Sequence, residues 1–376
     1  MAADSSSLRA AGAAGGALWV GGYTPDMGGT GEGILSARIA DDGTLSEVRL
    51  AARTPSPSFV AQHPTLPVLY AVGEKDETFR AFSIAADGAL TPLGEPVAAG
   101  AAACHIAVDP DGRYAVVACW GSGQVLAYAL DAVTGEILGR ADASPALDPY
   151  AGVPESEMVA PRPDYAPRLS RAHFTQFLAD GRVLTIDLGY DLARVWRYES
   201  ATASLALDYE IAFPYGVGPR HVAAASSGRL YVSCEYAISV FLLVPGADGR
   251  YAIAGSSPLR AVPREPDEYA AHLSLSDDES LLYATVRRSN VVAVLAVGGA
   301  GTSGASGASA LPRPLAEVPS GADWPRHHLV RGDRLYVANQ LGGEVTVFAL
   351  GPDGIPGEIL QRVPAGSPTA VVPALL

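Results

Sequence analysis

A short histidine-containing segment recurs along this chain and limits the folds that it can adopt. Five of the seven histidines stand in one context, in which the histidine opens a short apolar segment. The segments are ACHIAV, RAHFTQ, GPRHVA, AAHLSL and WPRHHL, and they contain His105, His173, His221, His272 and His327. A repeat of this kind predicts one structural unit built several times, with one side chain per unit pointing to a shared place.

A second segment follows the first in each unit and occurs seven times. The copies are LWVGGY, LYAVGE, VVACW, VLTIDL, LYVSCE, LYATVR and LYVANQ. Most copies are about fifty residues apart, within the range of propeller blades. A third segment, rich in Val, Ile, Phe and Tyr, follows each copy, and Asp-Gly turns separate these strand-like segments. No long segment has helical periodicity, so the chain is predicted to be all-β.

The two ends of the chain together supply one complete unit. Six first segments precede seven second segments, and the missing one is SPTAVVP at 367–373. We therefore predict a seven-bladed β-propeller of four-stranded blades, closed by a C-terminal strand that completes the first blade, because closure removes the open sheet edge. The predicted organisation is a flexible N-terminal tail over 1–16 and a single domain over 17–376, with a Pro- and Asp-rich insertion at about 140–170.

Composition excludes several classes of function. The formal net charge is −14 with one lysine, Lys75, so no nucleic-acid partner is expected. No apolar run is long enough for a membrane helix, and no secretory signal is visible. The three cysteines, Cys104, Cys119 and Cys234, lack metal-site spacing, and their odd number favours a reducing compartment. We expect a cytoplasmic protein, a monomer or weak homo-oligomer, without a cofactor.

The first strand of each propeller blade lines the central axis, so equivalent positions should form rings. The first ring is predicted to contain Phe59, His105, His173, His221, His272, His327 and Ala370. The preceding positions are Ser58, Cys104, Ala172, Arg220, Ala271, Arg326 and Thr369. The ends of the second strands give Tyr23, Glu74, Trp120, Leu188, Glu235, Arg287 and Gln340. Since successive strands are antiparallel, the ring from the starts of the first strands and the ring from the ends of the second strands should both face one cavity.

Such a cavity would suit a small anionic substrate. Arginine binds carboxylate or phosphate through a planar two-pronged fork, and His and Glu are the usual acid–base groups near neutral pH. Alternatives remain at this point. Each histidine can instead be structural, and Glu74 and Glu235 can be fixed ion-pair partners of the arginines. A histidine-bound metal is the less favoured option, because imidazoles on different blades are far apart, and Asp187 and Asp191 can either face the cavity or cap a turn.

Several motifs resemble those of the seven-bladed propeller lactonases, which include bacterial 6-phosphogluconolactonases and fungal carboxymuconate cyclases. The most specific is GVGPRH at 216–221, similar to GxGPRH of that family. YAVGE at 70–74 resembles LYxxxE, DLGYD at 187–191 resembles DLGxD, and PRHHLV and LYVANQ resemble elements of the last blade. The resemblance covers nearly the whole chain.

The resemblance implies a lactonase that hydrolyses a small anionic sugar-type lactone such as 6-phosphogluconolactone. A carboxymuconate-type cyclase or lyase and a non-catalytic scaffold are the alternatives. The implied catalytic residues are His173, Glu235, Arg220 and Arg287. The other residues expected to line or border the cavity are the candidates for substrate binding: Glu74, His105, Trp120, Arg171, His221, His272, Arg326, His327 and Gln340. The chain departs from the family pattern at Arg171 (for His), Trp120 (for Tyr) and Arg288 (for Gly), all expected to border the cavity.

Overall fold

A computed structural model of the protein describes residues 16–160, 167–200, 202–298 and 311–375. Over these ranges the chain forms seven antiparallel sheets of four strands, which confirms the predicted fold class. The tail predicted at 1–16 lies outside the described residues except for Gly16, where the first strand begins. Two short 3-10 helices, Pro25–Met27 and Glu155–Glu157, lie in loops.

The strands are given blade by blade. Blade 1 begins with β1 (Gly16–Tyr23), β2 (Gly33–Ile39) and β3 (Leu45–Arg53). Blade 2 contains β4 (Pro57–Gln62), β5 (Val68–Gly73), β6 (Thr78–Ile84) and β7 (Leu90–Ala98). Blade 3 contains β8 (Ala103–Val108), β9 (Tyr114–Cys119), β10 (Val125–Leu130) and β11 (Ile137–Asp142). Blade 4 contains β12 (Ala172–Phe177), β13 (Val183–Asp187), β14 (Leu192–Glu199) and β15 (Ser204–Ala212).

The remaining blades repeat the same order. Blade 5 contains β16 (Pro219–Ala224), β17 (Leu230–Cys234), β18 (Ser239–Pro245) and β19 (Tyr251–Pro258). Blade 6 contains β20 (Tyr269–Leu275), β21 (Leu281–Arg287), β22 (Val291–Ala296) and β23 (Arg313–Pro319). Blade 7 contains β24 (Pro325–Arg331), β25 (Arg334–Asn339), β26 (Glu344–Leu350) and β27 (Pro356–Pro364). The last strand, β28 (Ser367–Ala374), returns to blade 1 and pairs with β1, as predicted.

The inner strands close into a ring around the axis. Each of β4, β8, β12, β16, β20, β24 and β28 contacts the next one, and β28 contacts β4. Between neighbouring blades, the alternating apolar residues of the strands are buried in shared hydrophobic clusters. Burial of these faces stabilises the ring, and the radial arrangement leaves each blade only short, protected sheet edges.

The recurrent Leu-Tyr pair of the second strands has a structural reason. The hydroxyl groups of Tyr70, Tyr283 and Tyr336 each donate a hydrogen bond of 2.7 Å to a glycine carbonyl in an outer turn of the next blade. The acceptors are Gly135, Gly354 and Gly43, all with positive φ. A buried tyrosine needs such a partner, so the repeat ties each of these blades to its neighbour.

A β-bulge near the start of the inner strands corrects one predicted alignment. In blade 5, Pro219 pairs with Cys234 and His221 with Ser233, so Arg220 is the extra residue. In blade 4 the extra residue is His173, because Ala172 pairs with Asp187 and Phe174 with Ile186. His173 is therefore equivalent to Arg220, and Phe174 occupies the position of His221.

The predicted first ring was thus wrong at His173, and the preceding ring was wrong at Ala172. The same bulge places Ser58, Cys104 and Arg326 at the extra position of blades 2, 3 and 7. Pairing with the second strand sets this register, and the presence of a histidine does not reveal it. The correction moves His173 out of the histidine ring and into the ring that carries the arginines.

Candidate active site

An ion-paired triad lies at the mouth where the inner strands begin. Glu235 follows β17, Arg220 lies in the bulge of β16, and Arg287 ends β21 of the next blade. One carboxylate oxygen, Glu235 Oε2, is 2.8 Å from Arg220 Nε and 2.9 Å from Arg287 Nη2. All three side chains are buried. The structure brings together three of the four residues predicted to be catalytic, with Glu235 as the ion-pair partner of two guanidinium groups.

The two arginines of the triad differ in how they are held. Arg287 Nη2 donates to the carbonyl of Ala270, and its guanidinium carbon lies 5.6 Å from the centre of the Tyr269 ring and 5.5 Å from that of Trp324. Arg220 Nη1 is buried without a hydrogen-bond partner in the described part of the chain. Burial and the positive charge of Arg287 lower the pKa of Arg220 to about 9. Arg220 therefore stays charged at neutral pH and retains an unused donor.

His173 lies beside these charges as a neutral, buried imidazole. Its Nδ1 has no hydrogen-bond partner among the described residues. Burial, and then the positive charge of Arg220, lower the pKa of His173 well below its usual value of 6.5. At neutral pH the ring is uncharged and can accept a proton, as a general base must.

A second ion pair closes the other side of the mouth. Tyr23 donates a hydrogen bond of 2.9 Å to Glu74, and Arg326 Nη2 is 3.8 Å from the same carboxylate. Arg326 also donates to Gln340 over 3.1 Å and lies 5.0 Å from the centre of the Tyr23 ring. Glu74, Arg326 and Gln340, all predicted to bind substrate, are thus brought together, and Tyr23 joins them.

Arg171 and Trp120 form a stacked pair at the same mouth. The guanidinium carbon of Arg171 lies 4.0 Å from the centre of the Trp120 ring, and Arg171 Nη1 donates to the Trp120 carbonyl over 3.4 Å. The following residues together are called the axial cup: Glu74, Trp120, Arg171, His173, Arg220, Glu235, Arg287, Arg326 and Gln340. Arg171 and Trp120, two of the residues that depart from the family pattern, therefore contact each other within the axial cup.

The other predicted histidines lie in a packed layer one residue farther along the strands. This axial layer consists of Phe59, His105, Phe174, His221, His272 and His327. Neighbouring rings around the layer touch one another, with centroid separations from 3.7 Å for His272–His327 to 5.9 Å for Phe59–His327. All are buried, and burial lowers the pKa of each of the four histidines. The predicted cavity does not extend to this level, because aromatic rings fill the axis there.

Hydrogen bonds fix several of these rings. His105 Nδ1 lies 3.1 Å from Thr175 Oγ1, and His272 Nδ1 lies 3.3 Å from Nδ1 of His328, whose Nε2 is 2.7 Å from Ser274 Oγ. These bonds give His105 and His272 a structural role in holding neighbouring blades together. No group of three or more His, Cys, Asp or Glu residues in the described ranges has an arrangement that would hold a metal ion.

Two aspartates outside the axial cup position its residues. Asp191 accepts hydrogen bonds from the backbone N–H groups of Gly216 and Gly218, at 2.9 and 2.8 Å, in the loop that leads to Arg220. Both glycines have positive φ, which explains GxG before Pro-Arg. Asp187 accepts hydrogen bonds from the backbone of Arg171, Gly189 and Tyr190. Of the two possibilities left open, both aspartates therefore support loops.

Arg168 anchors the insertion to this support, a role that the sequence analysis missed. Its guanidinium group pairs with Asp148 at 2.6 Å and with Asp191 at 2.7 Å. It also lies over the ring of Tyr215, with its carbon 4.6 Å from the ring centre. The tyrosines near the Pro-rich stretch were the sequence feature that could have indicated a packed, arginine-anchored insertion. The described part of the insertion is therefore tied to the loop that carries Arg220.

Comparison with known proteins identifies the family. The family described as "Lactonase, 7-bladed beta-propeller" matches residues 17–373. The chain belongs to this lactonase family. It is 24% identical over 290 residues to the 6-phosphogluconolactonase of Bacillus subtilis, which covers 74% of this chain and 77% of that protein. It is likewise 24% identical over 348 residues to an uncharacterized protein of Staphylococcus saprophyticus, with 91% and 93% of the two chains covered.

Solved structures of this lactonase fold superpose closely. The periplasmic gluconolactonase of Pseudomonas aeruginosa has a TM-score of 0.83 and 23% identity, with 96% of this chain and 99% of that chain covered. A protein from Lactobacillus plantarum has a TM-score of 0.80, 23% identity and the same coverage. At this identity the likeness shows the fold alone. Within the described residues, none of the helices has the length and hydropathy needed to cross a bilayer.

Proposed function

We propose that this protein hydrolyses a small anionic sugar-type lactone, such as 6-phosphogluconolactone, in the axial cup. The carrying observation is the unpartnered Nδ1 of His173 beside the Arg220–Glu235–Arg287 triad. Lactone hydrolysis needs one group that takes a proton from water and another that stabilises the oxyanion of the tetrahedral intermediate. Membership of the lactonase family supports this pairing.

In this proposal His173 is the general base. Its neutral ring takes a proton from the attacking water while the water oxygen bonds to the lactone carbonyl carbon. The intermediate then collapses, the ring C–O bond breaks, and the proton passes from His173 to the leaving alkoxide. The charge of an anionic substrate offsets that of Arg220, which is the second cause, after burial, of the low pKa of His173. Substrate binding thus strengthens the base.

Arg220 and Arg287 stabilise the oxyanion, and Glu235 positions them. Glu235 binds both guanidinium groups through one oxygen, which leaves the Nη1 donor of Arg220 free for the developing charge. Two arginines against one carboxylate leave a net positive charge at the triad. In a buried site such donors are worth more than in water, about 10²–10³ in rate for one of them.

The test is proton release from lactones, measured above the spontaneous hydrolysis rate. Wild-type protein, H173N and the control R250K are compared on 6-phosphoglucono-δ-lactone and glucono-δ-lactone. Arg250 lies over the ring of Tyr209 at 4.2 Å in the turn before β19, at the opposite face of the blades. H173N should lose about 10²–10⁴ in kcat, as expected for a general base, while R250K retains the wild-type rate.

The proposal fails if the wild-type protein accelerates no lactone, or if H173N is as fast as wild type. Turnover of a muconate-type dicarboxylate in place of lactones would assign the same residues to a cyclase or lyase.

A further inference from the structure

Arg171 differs from the other buried arginines in having no acidic partner. Five arginines are buried in the part of the chain that the structure describes. Four of them form ion pairs, namely Arg182, Arg194, Arg220 and Arg287. Arg171 is only 8% exposed and forms no ion pair with any described residue, and its Nε has no hydrogen-bond partner. A buried charge without a counterion is costly, so an unpaired guanidinium group suggests a ligand.

The surroundings hold Arg171 in place without neutralising it. The Trp120 ring covers one face of the guanidinium group, and the backbone N–H of Arg171 donates to Asp187 over 2.8 Å. The aliphatic stem lies against Gly189, where an added Cβ would be 2.5 Å from Arg171 Cγ and 1.8 Å from the Leu169 carbonyl oxygen. The glycine thus makes room for the side chain. A fixed guanidinium group loses little entropy on binding an anion.

The charges of the axial cup are uncompensated at two separate places. Arg326 is balanced by Glu74. The triad has two guanidinium groups against one carboxylate, and Arg171 contributes a further positive charge on the blade 3–blade 4 side. The triad faces the charge that develops in the reaction. Arg171 remains free for a charge that the substrate carries permanently.

We propose that Arg171, stacked on Trp120, is a specificity-determining residue that binds a carboxylate or phosphate group of the substrate, away from the lactone carbonyl. The inference rests on the proposed lactonase function and adds to it the residue that distinguishes anionic from neutral lactones. Trp120 covers one face of the guanidinium group, so the anion binds at its N–H edge. Carboxylate and phosphate groups both prefer this in-plane hydrogen-bonding geometry.

The kinetic test compares lactones that differ only in the distal group. The ratio of kcat/KM for 6-phosphoglucono-δ-lactone to that for glucono-δ-lactone is measured for wild type, R171Q and the control R250Q. A third lactone with a carboxylate in place of the phosphate distinguishes the two anions. R171Q should lower the ratio about 10- to 100-fold, mainly through KM of the anionic substrate, as for one or two charge-assisted hydrogen bonds. An unchanged ratio in R171Q overturns the proposal.

A binding measurement keeps this test independent of catalysis. Calorimetric titration with 6-phosphogluconate and with inorganic phosphate compares wild type, R171Q and R171H, the last in case the amide variant does not fold. At least a 10-fold weaker affinity for 6-phosphogluconate in the variants supports the anion site even if no lactone is turned over. Equal affinity in variants and wild type, or no binding by the wild type, overturns it. If the wild-type protein hydrolyses no lactone but binds 6-phosphogluconate more tightly than the variants do, only the proposed function is overturned.

Discussion

Replacing Arg220 in two different ways separates its charge from its geometry. R220K keeps a positive charge near Glu235 but removes the planar fork, including the free Nη1 donor. R220M removes the charge as well. The two variants should affect activity in the same direction and stability to different degrees.

The magnitudes follow from the contacts. Loss of an oxyanion donor costs about 10²–10³ in kcat, so both variants should lose at least that much. Removing one partner of a buried ion pair costs about 3–5 kcal/mol. The loss of stability in R220M should be smaller than this range. Glu235 keeps Arg287 as a partner at 2.9 Å, and the repulsion between the two arginines disappears. R220K should lower the free energy of unfolding by less than R220M.

The assay is initial rate on the preferred lactone, with urea denaturation of each variant and R250K as the control. Full activity in R220K would refute the role given to the arginine fork. A large loss of stability in R220K with normal activity would show that the triad is only structural.

Three further predictions concern the axial layer and one strained residue. Since burial lowers the pKa of six histidines below the unfolded value of about 6.5, the unfolded chain takes up protons first as pH falls, and stability present above pH 6.5 is lost below it. Urea unfolding at pH 5.5 against 7.5 should show a loss of up to about 1.4 kcal/mol per histidine, and equal midpoints would contradict it. H105F should lower the free energy of unfolding by about 1 kcal/mol through loss of the Thr175 contact. Lactonase activity should be kept, since Phe59 and Phe174 hold the equivalent positions in their blades. Loss of turnover would instead place His105 in the active site. R288G should stabilise the protein by about 1 kcal/mol in urea, because Arg288 is exposed with a φ of 77°, and a destabilised variant would argue against backbone strain there.

The sequence repeat was sufficient to predict the ring of seven blades, because each blade has recognisable strand and turn motifs of its own. The position of SPTAVVP predicted closure of blade 1, and β28 confirms it. Convergence of Arg220, Glu235 and Arg287 also followed from the repeat, since equivalent strand ends in a closed ring must meet.

What the sequence did not reveal depends on register and on long-range contacts. A histidine looks the same in the bulge as in the next position, so His173 was aligned with the wrong ring until its pairing partner was known. The support of Arg220 by Asp191, and of Asp191 by Arg168, joins residues from three separate loops. Nothing local in DLGYD distinguishes a loop-supporting carboxylate from one that faces the ligand.

A crystal structure of the protein with bound 6-phosphogluconate would show directly whether the axial cup binds the product of an anionic lactone. We expect the product carboxylate to lie within hydrogen-bond distance of Arg220 and Arg287, with His173 beside it and the phosphate bound to Arg171. An anion bound at another surface, with the axial cup unchanged, would contradict this expectation.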